Sequence, residues 1–235
     1  MGATIEKLEF PVRDVAAANP YSAAIDAALA AAMAETTTLP ESLLRMDGMS
    51  GTKYRMFANN LVGSIPDARY LEIGIWRGST LFAALSGNKM HATAIDNWSG
   101  FGGPRVSFMM NLQAMDSPDI VVTMVEADFR KVDYAEIGKH NIYFFDGPHE
   151  AADQRDAILL PQPALDDQFV LIVDDWNYPW VREETWKAMG EISLRLDHVV
   201  EIRTTDDGSH PDTFGPNSSW HNGYFIAACT KRAEG

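Results

Sequence analysis

The chain has 235 residues, 46% hydrophobic and 10% aromatic, enough apolar material for one large core and too much for a disordered or fibrous protein. Its 19 Lys and Arg against 33 Asp and Glu leave a formal net charge of −14, a field that repels phosphate backbones and anionic headgroups, so neither nucleic acid nor a membrane is an expected partner. A single cysteine, Cys229, excludes an internal disulfide and a thiolate metal cluster, and with no signal-like apolar start a cytoplasmic location is expected.

In chain order, an Ala-rich stretch from Ser22 to Met33 predicts a helix, closed off by the threonines 36–38 and Pro40. Ser50 is a candidate cap for a second helix, whose apolar face is Tyr54, Phe57, Leu61 and Val62 and which ends at Pro66-Asp67. Residues 1–66 therefore read as a helical lid or cap, and their amphipathic surface as a possible homo-oligomer contact. From residue 67 to 235 the texture changes. Short apolar runs of buried-strand length appear at Tyr70 to Ile73, Ala92 to Ile95, Ile120 to Val125, Ile142 to Phe145 and Phe169 to Val173. Segments of helical character follow them: Ser79 to Leu85, Pro104 to Met115, a turn near Arg130 to Ile137, Ala151 to Leu160, and Val181 to Leu196. Such alternation predicts an α/β fold, a doubly wound, mostly parallel, seven-stranded sheet. His198 to Arg203 and Tyr224 to Cys229 lack an intervening helix and close it as a terminal antiparallel pair. The loop between them, Thr205 to His221, is long enough to serve as a lid or specificity element.

In open sheets of this kind, ligands bind beyond the carboxyl ends of the strands. Five successive runs end there in carboxylates: Glu72, then Asp96, then Glu126 and Asp128, then Asp146, then Asp174-Asp175. Any one of them is ordinary turn chemistry, but a rim of like charges is costly unless a cation or ligand donors neutralise it. The first loop, Glu72-x-Gly74-x-x-x-Gly78-Ser79, lets backbone approach a ligand closely, yet it lacks the second glycine of dinucleotide folds and the Lys of a P-loop. Glu72 opposes a pyrophosphate and suits a cationic ligand. Asp96 has the position and chemistry to accept both hydroxyls of a ribose, and Asp128 to meet an adenine amino group.

These features, Glu72-x-Gly74-x-x-x-Gly78, the acidic strand end at Asp96 and the terminal antiparallel pair, resemble a class I S-adenosylmethionine-dependent methyltransferase. More narrowly, Phe144-Phe145-Asp146-Gly147-Pro148-His149 and Ile172-Val173-Asp174-Asp175-Trp176 resemble the metal-dependent O-methyltransferases of sugars, macrolides and other natural products. The resemblance implies S-adenosylmethionine held by Glu72, Gly74, Gly78, Ser79, Asp96, Trp98, Asp128 and Phe129, with Trp76 and Phe101 as further walls. It also implies a Mg²⁺ ion held by Asp146, Asp174 and Asp175, beside a small hydroxylated acceptor such as a sugar, a catechol or a natural product. Carboxylate oxygen is the donor such an ion prefers. His149 is the candidate general base, with Asp146 or Asp175 as the alternative proton acceptor. Pro148 departs from the family pattern, which commonly has an acidic residue there. Two other readings stand beside the enzyme: a non-catalytic S-adenosylmethionine or nucleotide-binding module, and a nicotinamide-dependent oxidoreductase, which the missing glycine disfavours.

Overall fold

A computed structural model of the chain describes residues 3–8, 19–115, 119–192 and 194–232. The strands are β1 (Thr4–Leu8), β2 (Arg69–Ile73), β3 (Met90–Ile95), β4 (Ile120–Val125), β5 (His140–Phe145), β6 (Leu165–Asp174), β7 (Leu194–Arg203) and β8 (Tyr224–Lys231). The helices are α1 (Tyr21–Met33), α2 (Glu41–Leu44), α3 (Thr52–Ser64), α4 (Ser79–Leu85), α5 (Arg105–Ala114), α6 (Ala151–Leu159) and α7 (Pro179–Glu191). No described helix is long and apolar enough to cross a membrane.

The strands form one sheet in the order β1-β7-β8-β6-β5-β2-β3-β4, with β2 to β6 parallel and β8 antiparallel to both β6 and β7. It has eight strands, not seven, because Thr4–Leu8 pairs antiparallel with β7, Thr4 opposite Arg203. The order in which successive strands are added reverses between the parallel neighbours β2 and β5, and this switch point opens the crevice in which ligands of such folds sit.

Alternation along the central strands splits the core into two layers. Tyr70, Ile142, Phe144, Val170 and Ile172 face α1, α3 and α4, whereas Leu71, Tyr143, Phe145, Leu171 and Val173 face α6 and α7. Residues buried on both faces read as continuous apolar runs, which is why these strands are legible. The amino-terminal segment is not set apart from this architecture. Ile25, Ala28, Leu29 and Ala32 of α1 join Phe57 and Leu61 of α3 in the first layer, so α1 spends this apolar stripe inside the fold.

Two local readings are corrected. Ser50 does not cap α3, whose cap position is Gly51; its hydroxyl accepts from Arg55 Nε at 2.9 Å and meets Ser79 Oγ at 3.2 Å. The helix expected over Val181 to Leu196 stops at Glu191, and Leu194 already belongs to β7, where pairing with β8 outweighs local propensity.

Candidate active site

The crevice at the switch point is a cavity of about 640 Å³. Its geometry begins with Gly74, which has φ +86° and sits so close to β5 that a Cβ would stand 1.8 Å from the Asp146 carbonyl oxygen. Only glycine satisfies both conditions, and the tips of β2 and β5 meet there. Gly78, at φ +88°, ends the following turn and starts α4.

One side of the cavity is organised around Asp96. Its Oδ2 accepts the Ile75 and Trp76 backbone N–H groups at 2.8 and 2.9 Å, and its Oδ1 accepts that of Trp98 at 2.6 Å. The carboxylate thus clamps two loops together with three charge-assisted bonds, two on Oδ2 and one on Oδ1, which keeps a lone pair free. The indoles lock the same loops, Trp98 Nε1 donating to the Trp76 carbonyl and Trp76 Nε1 to that of Phe101. Ser79 and Trp98 line this part, while Asp128 and Phe129 line an adjoining pocket of about 250 Å³ with Arg130. Gly74 and Asp96 border both spaces.

Glu72 and Gly78 do not border either one. Glu72 is fully buried below the floor, where its carboxylate accepts from Tyr70 Oη at 2.8 Å and from Thr80 Oγ1. Burial raises its pKa from 4.5 to about 7, partly offset by those two hydrogen bonds. Its role in this structure is to brace β2 against α4.

The other side gathers Asp146, His149, Asp174 and Asp175. Burial, then the charge of Asp175, pushes Asp146 well above the usual carboxylate range; burial, then Asp146 and Asp175, does the same to Asp174. Asp174 is 2% exposed, and its Oδ1 has no hydrogen-bond partner. His149 Nε2, also buried without a partner, faces Asp146 Oδ1 at 3.8 Å and Asp175 Oδ2 at 3.7 Å. The opposite ring nitrogen, Nδ1, lies 2.6 Å from Gln154 Nε2, and Gln154 Oε1 accepts from Thr185 Oγ1. Asn222 Nδ2 donates to Asp175 Oδ1 at 2.8 Å.

The three aspartates therefore share a wall, but among the described residues no group of three or more His, Cys, Asp or Glu side chains converges as a ready-made metal centre. Their chemistry nonetheless fits a hard cation: all donors are carboxylate oxygen, one of them buried and unpartnered, in a cluster whose mutual repulsion a positive ion would relieve.

Non-glycine residues with positive φ concentrate here: Trp76, Trp98, Phe101, Asp175 and His221 all border the cavity. Backbone held in the left-handed region costs free energy and persists where surrounding contacts enforce it, as at ligand sites. Sequence reasoning passed over Gln154 and Asn222, since a lone amide carries no motif. Trp220, expected in a lid, is instead a core residue packed near Phe57 and Tyr224.

The fold and the crevice define an α/β domain of the doubly wound class with a carboxylate-rich cavity at its switch point. Residues 71–176, just under half of the chain, match the model of a family described as a methyltransferase domain. No curated protein matches the chain in sequence. Among solved structures, an O-methyltransferase from Bacillus cereus in complex with SAH is similar at 13% identity and a TM-score of 0.54, over 88% of this chain and 90% of that one. SAH-bound methyltransferase PaMTH1 of Podospora anserina is similar at 10% identity and a TM-score of 0.53, over 87% and 86%. SMU.776, proposed to be a methyltransferase and solved with SAH, is similar at 14% identity and a TM-score of 0.52; the match takes in 76% of this chain and 48% of that one, so the chain spans about half its length. Residues 71–176 are thus similar to a methyltransferase domain, and the chain shares its fold with these SAH complexes.

Proposed function

We propose that the protein transfers a methyl group from S-adenosylmethionine to a hydroxyl of a small polar molecule such as a sugar, a catechol or a natural product. The observation that carries this reading is the continuity of one cavity from the loops clamped by Asp96 to the carboxylate and histidine wall, so that a donor and an acceptor can lie end to end. The family match and the SAH held by the similar structures support the donor. A net charge of −14 supports a small acceptor over a nucleic acid.

In the reaction the methyl carbon leaves sulfur for the acceptor oxygen, which loses its proton. We assign that proton to the pair formed by Asp146 and His149. With Gln154 Nε2–H donating to Nδ1, the neutral His149 ring carries its own proton on Nε2, turned toward the Asp146 and Asp175 oxygens, so Asp146 is the member of the pair that accepts and His149 positions it. Asp146, Asp174 and Asp175 would hold Mg²⁺, whose charge supplies acidification of a nearby hydroxyl when bound.

Calorimetric titration with S-adenosylhomocysteine and thermal melts with Mg²⁺ test this. Wild type is expected to bind S-adenosylhomocysteine, to gain melting temperature with Mg²⁺, and to methylate a hydroxylated acceptor in a reaction lost in EDTA and restored by Mg²⁺. Asp174→Asn is expected to abolish the Mg²⁺ response and, without metal, to stabilise the fold by about 1 kcal/mol, because it removes a buried carboxylate crowded by Asp146 and Asp175. An unchanged Mg²⁺ response in that variant would reject the metal; no binding of S-adenosylhomocysteine by wild type would reject the donor.

A further inference from the structure

The loop between β7 and β8 contributes one histidine to the cavity, and the protein holds it at every polar atom but one. The His221 N–H donates to Ser218 Oγ at 3.2 Å, its carbonyl accepts from Thr204 Oγ1 at 2.8 Å, and its ring Nδ1 accepts the backbone N–H of Gly215 at 3.1 Å. The backbone at His221 is left-handed, with φ 45°, and His210 packs edge-on against the ring at 5.3 Å. A backbone amide can only donate, so Nδ1 carries no proton, and the neutral ring must carry it on Nε2. Among the described residues nothing pairs with Nε2. Burial, opposed by the charge of Asp175, lowers the ring's pKa to about 4, which keeps it neutral near pH 7. The residue is 5% exposed and lines the same cavity as Asp174, Asp175 and Tyr178.

A preorganised neutral donor in a wall of carboxylates has a defined use. It cannot attract an anion as a cation would, and the aspartates repel one; it matches an uncharged oxygen. Resting on the methyl-transfer reading, we propose that His221 is a specificity residue whose Nε2–H donates to an uncharged oxygen of the acceptor other than the one methylated. The acceptor class is then a neutral molecule with at least two oxygen functions.

The test uses the full chain, with and without saturating S-adenosylhomocysteine, and two probes, catechol and methyl α-D-glucopyranoside. Long-range ¹H–¹⁵N spectra should show the Nε2–H tautomer at His221, and one of the probes should move its signal. His221→Asn leaves an amide oxygen to accept the Gly215 N–H and tolerates the left-handed backbone, so melting temperature and S-adenosylhomocysteine affinity should hold within about twofold, while probe affinity falls about 10- to 100-fold, the cost of one lost hydrogen bond in a site built for it. His221→Gln, which returns an N–H to the position of Nε2, should recover most of that loss. An Nδ1–H tautomer, a His221 signal unmoved by both probes, or wild-type probe affinity in His221→Asn would each overturn the proposal. Failure of the methyl-transfer reading shows differently, as absent S-adenosylhomocysteine binding with the tautomer and the probe response of the free protein intact.

Discussion

The two halves of the cavity are built on opposite principles. On the side of Asp96, polar groups are satisfied from within: three backbone N–H groups converge on one carboxylate, and two indole N–H groups close onto neighbouring carbonyls. On the side of Asp174, buried polar atoms are left open, among them Asp174 Oδ1, His149 Nε2 and Asn222 Oδ1. Buried groups without partners are expensive, so their concentration in one wall marks where the protein keeps hydrogen-bonding and charge capacity for something it binds. The first half is a rigid receptacle and the second a reactive one.

The largest effect should come from breaking the junction between them. Gly74→Ala drives a methyl group into the Asp146 carbonyl at a φ that alanine avoids, and should cost about 4 kcal/mol or prevent folding. Denaturant unfolding measures this; a loss under about 1 kcal/mol would mean that the strand tips can part, and that the halves are independent.

Next in size is a pH effect confined to the satisfied half. The folded pKa of Glu72 is raised, to about 7, so the folded state keeps a proton that the unfolded chain releases near pH 4.5. Its contribution is fully present below the unfolded value and is lost as pH rises through about 7. Glu72→Gln should therefore match wild type near pH 4 and exceed it in stability by about 3 kcal/mol at pH 8. A pH-independent difference would show that hydrogen bonds from Tyr70 and Thr80 outweigh burial, and would extend the contrast to the floor of the site.

The smallest expected effect lies at the mouth of the reactive half. Trp180 is 48% exposed, stacks on Tyr178 with ring centroids 4.4 Å apart, and donates to the His149 carbonyl at 3.2 Å. Trp180→Ala should cost less than about 1 kcal/mol of stability and raise the acceptor KM a few-fold, with S-adenosylhomocysteine affinity unchanged. An equal loss of donor affinity would erase the distinction between the halves at this edge.

Much of this was legible before folding. The central strands were readable because residues buried on both faces form unbroken apolar runs, and their ends because each run stops at Asp or Glu. Asp146, His149, Asp174 and Asp175 were found that way and do share a wall. β1 was missed because an edge strand of five residues has no pattern to distinguish it; its pairing with residues about 200 positions away supplies the structure. Glu72 was placed among ligand contacts because its neighbours in sequence are such contacts, yet strand alternation turns it under the floor toward Tyr70 and Thr80.

Local sequence determined the order of elements and the inventory of carboxylates, since periodicity and strand length are properties of short segments. Tertiary structure alone decided which of those groups are satisfied and which are left open. Asp96 takes two amides about 20 residues upstream and one two residues downstream, Asp175 takes an amide 47 residues downstream, and Asp174 Oδ1 takes none. Hydrogen-bond partnership acts over a few ångströms in space and is indifferent to distance along the chain, so only the folded chain could divide one acidic rim into a clamp and a reactive wall.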